Sequence, residues 1–282
     1  MKARIITGVI AGGIALAAII LGGYFFAAVL LIAAAVSVIE LHVAFKKGGR
    51  NPAISSSVIL FLALGLGVFS NTTGPGMVVF TSNEYNFFPL ILIISVIVSA
   101  SVFVFDHRNR KFEDISHPFF ATLYVVLLLW CGLTLRSMPE GIHLIIMTLV
   151  GSIMSDTCAF AFGKMFGKKK LCPDISPKKT FAGMYAGFAG GAVSVVIYGL
   201  VLFLLKIDVG IPLWFTPVLG ALVSFVSQVG DLFMSAIKRQ CGIKDFGKIL
   251  PGHGGMLDRI DSYLPSFAVT FFAVTLFDLF TV

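Results

Sequence analysis

The chain has 282 residues, of which 57% are hydrophobic and only 12% are charged, and its mean hydropathy is +0.98. Soluble domains carry roughly 25% charged residues, so this composition excludes a soluble globular protein and indicates an integral membrane protein. The net charge is +7. We attribute it to membrane topology and to attraction of anionic headgroups, and we expect no binding of nucleic acid.

Apolar runs of spanning length recur along the whole sequence, and a helix needs about 20 such residues to cross the hydrocarbon. We therefore expect an all-α, polytopic integral membrane protein with nine transmembrane helices. They are expected to form a single polytopic domain over 1–282, with mostly apolar helices in 1–136 and the chemical motifs in 141–282. The predicted crossings lie near residues 5–22, 24–45, 54–70, 87–105, 119–136, 141–163, 181–206, 212–235 and 264–281.

The placement of basic residues tests the count of nine crossings. With nine, one side of the membrane holds the N-terminus and the connections after crossings 2, 4, 6 and 8. That side then carries all but two of the 21 Lys and Arg residues, the exceptions being Arg136 and Lys206. Cytoplasmic loops carry the excess of basic residues, so the N-terminus is predicted to be cytoplasmic. Short tails and the lack of a transit peptide favour the plasma (inner) membrane of a bacterium.

Small and polar residues inside the predicted crossings give three further expectations. Gly183, Gly187 and Gly191 recur every four residues and predict a face of close helix packing. Glu40 lies near the cytoplasmic end of the second crossing, where it either reaches the interface or contributes to a polar cavity. The cysteines show no CxxC spacing and are interpreted as reduced packing residues: Cys131, Cys158, Cys172 and Cys241.

Residues 230–261 concentrate ionisable groups between two apolar segments, which is costly in a membrane protein unless the groups have a use. At the start of this stretch, four polar residues fall at offsets that share one face of a helix. They are a carboxylate, a hydroxyl and two cations, namely Asp231, Ser235, Lys238 and Arg239.

The end of the same stretch holds two aspartates three residues apart. Asp258 and Asp261 are one turn apart on a helix predicted to begin after a Gly-Gly pair, where they offer oxygen ligands to Mg²⁺. The preceding turn, which contains His253, is expected to expose backbone N–H groups to an anion at the helix start. Arg259 is interpreted either as an ion-pair partner of the aspartates or as a substrate-binding residue.

The connection between crossings 6 and 7 holds a second basic run, stiffened by two prolines. By composition alone this run is equally well explained as an ordinary cytoplasmic loop or as a functional element. Its dense phosphate donors are Ser176, Lys178, Lys179 and Thr180.

Residues 235–261 resemble the signature of the phosphatidate cytidylyltransferase (CDP-diacylglycerol synthase) family. That pattern runs from a serine through Lys-Arg, Lys-Asp and Pro-x-His-Gly-Gly to Asp-Arg-x-Asp, and the chain meets it throughout. The block from Ser155 to Gly183 resembles a second family block, except that Ala182 stands where the family usually has glutamate. The pair Glu40 and Leu41 is similar to a weaker family feature.

The resemblance implies an enzyme that joins CTP and phosphatidic acid into CDP-diacylglycerol and releases pyrophosphate at the cytoplasmic side of the membrane. Catalysis of this transfer rests on positioning and on neutralising charge. Mg²⁺ is expected on Asp231, Asp258 and Asp261, with a second metal ion or a monovalent cation as an open addition. Predicted catalytic residues are Asp231, Lys238, Arg239, Lys244, His253, Asp258 and Asp261, and predicted substrate-binding residues are Ser176, Lys178, Lys179, Thr180, Ser235 and Arg259.

Two alternative functions stay open at this point. One is cytidylyl transfer to another lipid phosphate, such as an ether or polyprenyl lipid, because the sequence does not show the shape of the apolar cavity. The other is an anion transporter with Asp156 and Asp231 as ligands of a coupling ion. Transport sites lie near the midplane, whereas these charges are predicted at cytoplasmic helix ends. Besides CTP, phosphatidic acid and membrane lipids, a homodimer is compatible with the glycine-faced helices.

Overall fold

The computed structural model describes residues 2–55, 57–62, 87–249, 252 and 254–281, and these are mostly helical. Outside the helices lie a short two-stranded sheet and a single 3₁₀ turn, Leu213–Phe215. The elements are α1 (Lys2–Leu21), α2 (Gly23–Lys47), α3 (Phe87–Phe105), α4 (Glu113–Ser137), α5 (Gly141–Phe166), β1 (Lys170–Cys172), β2 (Ser176–Thr180), α6 (Phe181–Leu204), α7 (Thr216–Gln240), α8 (Leu257–Ile260) and α9 (Tyr263–Thr281).

Every predicted crossing except the third coincides with one of the longer helices. The third, predicted near 54–70, lies largely outside the described residues, although residues 54–62 other than 56 are helical. Among the described residues, five helices are long and apolar enough to cross a membrane, namely α2, α4, α5, α6 and α7, and shorter apolar stretches occur in α1, α3 and α9. The prediction of a mostly helical, multi-pass membrane protein is confirmed.

The helix that contains the fifth predicted crossing extends beyond it. α4 begins at Glu113, well before the predicted start near residue 119. The Asp114 carboxylate accepts the backbone N–H of Lys111 at 2.8 Å, and two acidic residues in the first turn favour the positive end of the helix dipole. Pro118 is the sixth residue of the helix, where its missing N–H removes one hydrogen bond of the second turn.

The connection after α5 is more ordered than its sequence suggested. β1 and β2 pair antiparallel, with Lys170 opposite Thr180. The Thr180 hydroxyl then accepts the backbone N–H of Gly183 at 3.1 Å and caps α6. This cap ties the end of β2, which carries Lys179, to the start of α6.

The chain divides into two compact units. The first comprises residues 1–138 and 238–259, and the second comprises 139–237 and 260–282. The boundaries fall near the end of α7 and within α8. A single polytopic domain stays a prediction, because a division by compactness alone does not define domains that fold independently.

In the first unit, α2 packs against both α1 and α4. At the C-terminal end of α1, the Arg136 guanidinium donates to the carbonyl oxygens of Ile19 at 2.8 Å and Ile20 at 3.3 Å. These carbonyls end α1 and would otherwise lack partners. Since Arg136 is in the last turn of α4, α1 and α4 end on the same side of the unit.

The second unit is a bundle of α5, α6, α7 and α9. The prediction of close packing at the glycines of α6 is confirmed, because a Cβ at Gly183 would fall 2.6 Å from the Ala159 carbonyl and one at Gly187 would fall 3.0 Å from the Ser155 carbonyl. Serine hydroxyls also join α5 to α7, with Ser152 Oγ lying 2.7 Å from Ser227 Oγ. These contacts place the middle of α7 beside α5.

Candidate functional site

The predicted site residues are divided between the two units, and each unit has its own cluster. The first unit contains Lys238, Arg239, Lys244, Asp258 and Arg259, and the second contains Ser176, Lys178, Lys179, Thr180, Asp231, Ser235 and Asp261. His253 lies outside the described residues.

Asp258 is the centre of a closed cluster in the first unit. Its Oδ1 accepts from Lys238 Nζ at 2.8 Å, and its Oδ2 accepts the backbone N–H groups of Phe246 and Gly255 at 2.9 Å each. The Asp258 side chain is 3% exposed. A carboxylate offers about four acceptor positions, and three are filled here. Asp258 therefore fixes the Lys238 side chain and the backbone at Phe246 and Gly255. We call Lys238, Phe246, Gly255 and Asp258 the Asp258 cluster.

Lys238, predicted to bind phosphate, is an internal partner in this structure. It is only 8% exposed and its ammonium lies 5.4 Å from the centre of the Phe246 ring. The sequence left Arg259 open as the ion-pair partner of an aspartate, but Asp258 pairs with Lys238 and Arg259 is exposed. Among the cations predicted for the site, Arg239, Lys244 and Arg259 are exposed in this unit.

The backbone N–H groups at the start of α8 meet an anion that belongs to the protein itself. Met256 N–H donates to Glu40 Oε1 at 3.0 Å, and Leu257 N–H donates to Glu40 Oε2 at 2.9 Å. The expectation that these groups are free to bind substrate was wrong. Glu40 is 4% exposed, so it does not reach the interface. Of its two predicted settings, the one at the interface is wrong, and the contribution to a polar cavity stays a prediction.

A second, more open cluster lies where α7 approaches β2 in the second unit. Asp231 Oδ2 pairs with Lys179 Nζ at 2.8 Å, and Ser235 Oγ donates to Asp231 Oδ1 at 3.3 Å. The side chains of Lys179 and Asp231 are 23% and 32% exposed. Asp156 on α5 is exposed, interacts with both of these charges and hydrogen-bonds the Ser262 side chain. We call Asp156, Lys179, Asp231 and Ser235 the Asp231 cluster.

Asp261 is placed beside the segment that carries Asp231. It is 7% exposed, and its Oδ1 accepts the backbone N–H of Ser262 at 2.9 Å. A Cβ at Gly230 would fall 2.6 Å from the Asp261 carbonyl, so α7 contacts the chain at this point. Across the described residues, no group of three or more His, Cys, Asp or Glu side chains is arranged to hold a metal.

The basic connection contributes one residue directly to the Asp231 cluster. Lys179 was predicted to bind substrate and is now seen beside two carboxylates. Thr180 is 4% exposed and its hydroxyl serves as the cap of α6, a structural role that the sequence did not reveal. Ser176 is half-buried and Lys178 is exposed. All four cysteines are free, as predicted.

Sequence reasoning omitted two acidic residues from the predicted enzyme site. Glu40 and Asp156 are carboxylates inside otherwise apolar helices, and such groups are costly unless they are paired or used. That signal was visible in the sequence. It did not show which distant segment each carboxylate meets, because the partners of Glu40 lie 216 and 217 residues away.

These features define a multi-pass membrane protein whose acidic and basic side chains suit chemistry on phosphates. Residues 2–277 match the model of the cytidylyltransferase family, and the chain belongs to this family. It is 31% identical to the phosphatidate cytidylyltransferase of Bacillus subtilis (strain 168) over 279 residues, which cover 98% of both chains.

Two staphylococcal relatives match a shorter part of the chain. The phosphatidate cytidylyltransferase of Staphylococcus saprophyticus is 37% identical over 183 residues, or 64% of this chain and 66% of the relative. That of Staphylococcus haemolyticus is 35% identical over 173 residues, or 61% of this chain and 64% of the relative. The chain thus spans just under two thirds of these two proteins. The family resemblance predicted from the signature is confirmed.

Proposed function

We propose that the protein works as a phosphatidate cytidylyltransferase and that the two clusters serve this reaction in different ways. The protein joins CTP and phosphatidate to give CDP-diacylglycerol and pyrophosphate. The family match over residues 2–277 carries this proposal, together with the relative that the chain covers almost completely. Nothing comparable supports the transporter alternative. Acceptor assays with ether and polyprenyl phosphates distinguish these lipids from phosphatidate as the substrate.

The reaction needs positioned cations more than it needs a strong base. A phosphate oxygen of the lipid forms a bond to the α-phosphorus of CTP, and the bond from that phosphorus to the bridging oxygen breaks as pyrophosphate leaves. The second ionisation of a phosphate monoester lies near pH 6, so the attacking oxygen is already mostly deprotonated at neutral pH. The protein must therefore hold both phosphates in line and offset their charge.

Lys179 is the cation best placed for this task in the second unit. It is half-buried, it is fixed at the end of β2, and its present partner Asp231 is also partly exposed. A triphosphate carries more negative charge than one carboxylate, so Lys179 exchanges part of its contact with Asp231 for a substrate phosphate. Exposed Lys178 lies next to it on the same strand and adds to the local positive charge.

The oxygen atoms of the Asp231 cluster suit Mg²⁺. This ion is usually bound through one or two carboxylates and keeps water and substrate phosphates in its remaining positions. Asp156 and Asp231 offer two accessible carboxylates, and the hydroxyls of Ser235 and Ser262 lie beside them. Bound there, Mg²⁺ would neutralise charge on the triphosphate. Asp261 remains a proposed ligand, and the protein itself fills three of the about four acceptor positions of Asp258.

We place the active site at the cytoplasmic face of the plasma membrane and retain nine crossings with a cytoplasmic N-terminus. The contact of Arg136 with the end of α1 supports this, because crossings 1 and 5 must end on the same side. In the second unit, Ser152 meets Ser227 and Ser155 meets Gln228, so α5 and α7 run in the same direction, as crossings 6 and 8 must. A homodimer and contact with membrane lipids are also retained as proposals.

The direct test supplies the detergent-solubilised protein with labelled CTP, phosphatidate and Mg²⁺ and examines the lipid extract. We expect a labelled nucleotide lipid whose formation stops when EDTA removes the metal. Asp231→Asn should lower turnover by about a hundredfold or more, the size of effect that follows loss of one charge-stabilising group. Ether and polyprenyl phosphates, offered separately, should be poorer acceptors than phosphatidate.

A matched control is available in the same unit. Asp208 lies in the connection between α6 and α7, where its carboxylate accepts the backbone N–H of Gly210 at 2.9 Å. Asp208→Asn makes the same chemical change away from the cluster and should keep wild-type turnover. A folded wild-type protein that forms no nucleotide lipid would contradict the proposed function, and full activity in Asp231→Asn would contradict the role of that residue.

A further inference from the structure

Glu40 connects helix α2 to the turn that carries Asp258. Its two carboxylate oxygens accept the adjacent N–H groups of Met256 and Leu257 at 3.0 and 2.9 Å. The residue is 4% exposed and lies about two turns before the end of α2. A buried carboxylate is costly to the folded state unless its hydrogen bonds are satisfied, so such a contact calls for an explanation.

Two glycines leave the space that this carboxylate fills. A Cβ at Gly255 would fall 2.5 Å from Glu40 Oε1, and a Cβ at Gly247 would collide with the same oxygen. Cβ atoms in proteins essentially never approach another atom this closely, so a side chain at either glycine would displace the Glu40 carboxylate. The absence of a side chain at Gly247 and Gly255 therefore leaves room for the Glu40 carboxylate.

The same turn is held from its other side by Asp258. Gly255 N–H donates to Asp258, and the next two N–H groups donate to Glu40. Three consecutive backbone N–H groups are thus bound by two carboxylates. The charge of Asp258 acts on Glu40, and Lys238 lies on Asp258 to offset it. Displacing the turn would disturb both Asp258 and Lys238.

The chemistry of the contact requires a carboxylate. Two adjacent N–H donors need two acceptors at a fixed spacing, and a carboxylate presents two equivalent oxygens. Glutamine would place its NH₂ group against one of the N–H donors. Aspartate keeps both oxygens but is one methylene shorter, so it cannot reach both donors without moving the backbone.

We propose that Glu40 is a positioning residue for cytidylyl transfer: it fixes residues 255–257 and thereby orients Asp258 and Lys238. This inference rests on the function proposed above. It assigns a role in the reaction to an N-terminal helix that carries none of the signature residues. Glu40 itself contacts only the protein.

The first experiment separates positioning from stability by comparing neighbours on α2. Glu40→Gln should lower kcat by about 10- to 100-fold, the range for groups that orient a catalytic ligand. Leu41→Ala is the control, since Leu41 is fully buried but does not touch the turn through a hydrogen bond. It should lower the melting temperature at least as much as Glu40→Gln, yet keep kcat within about twofold well below that temperature.

The second experiment measures the contact without using activity. Hydrogen exchange at the amides of Met256 and Leu257 should be slow in the wild-type protein and faster in Glu40→Gln, while Leu41→Ala leaves these two amides protected. Wild-type turnover in Glu40→Gln, or kcat losses that follow melting temperature equally in both variants, would overturn the proposal. Unchanged exchange in Glu40→Gln would also overturn it. A wild-type chain that makes no nucleotide lipid overturns the proposed function, and exchange then still reports on Glu40.

Discussion

The Asp258 cluster and the Asp231 cluster use the same kinds of side chain for opposite purposes. Each pairs one aspartate with one lysine at 2.8 Å. The Asp258 carboxylate is 3% exposed and also receives two backbone N–H groups, whereas the Asp231 carboxylate is 32% exposed and receives one serine hydroxyl. The first pair is closed by the protein, and the second is accessible to a ligand.

This difference shows that an aspartate in a signature is not identified as a metal ligand by its spacing alone. A buried carboxylate that accepts from two backbone N–H groups and one lysine stabilises a local conformation. A carboxylate that shares a lysine near solvent can exchange that lysine for a cation or give it up to a phosphate. Removing one partner should therefore change the free energy of unfolding by different amounts for the two pairs.

The largest expected effect is loss of stability in Asp258→Asn. It leaves the buried ammonium of Lys238 without its anion, and removing one partner of a buried pair costs about 3–5 kcal/mol. Thermal or denaturant unfolding in detergent measures this change, and turnover should fall with it. Replacing both residues, as in Lys238→Met with Asp258→Asn, should recover part of the loss. If Asp258→Asn unfolds like the wild type, the closed cluster has no structural role.

Lys179→Met should affect the binding of CTP more than the stability of the protein. Partly exposed ion pairs contribute about 0–1 kcal/mol to stability, so unfolding should change little. Hydrogen bonds to charged groups are worth about 1.5–3 kcal/mol, so loss of the phosphate contact should raise the KM for CTP by roughly 10- to 150-fold. Lys170→Met changes an exposed lysine on β1 and is the control. An equal loss of stability in Lys179→Met would remove the contrast between the clusters.

The smallest expected effect concerns two cysteines, one in each unit. Cys241 follows α7 directly and is 5% exposed, and burial raises the pKa of its thiol. Alkylation requires the thiolate, whose fraction at pH 7.5 falls as the pKa rises. Cys172 on β1 is half-buried and should be alkylated faster. Peptide mapping after maleimide treatment measures both rates, and faster labelling of Cys241 would show that its segment opens.

The sequence by itself determined the class of protein, most of the helices and the family. Long apolar runs must form helices in a membrane because every backbone group has to be bonded internally, so composition alone predicts their existence. The spacing of Gly183, Gly187 and Gly191 predicted close packing for a similarly local reason. The starts of helices were less certain, as α4 shows, because caps and early prolines shift a boundary at small cost.

Only the tertiary structure decided which carboxylate meets which donor. Asp258 and Asp231 both looked like metal ligands, and only contacts with Lys238, Lys179 and the backbone separated their roles. Glu40 was a costly charge without a known partner until residues 256 and 257 were placed against it. The partners of Glu40 lie more than two hundred residues away, and hydrogen bonds of this kind leave no periodic trace in either segment.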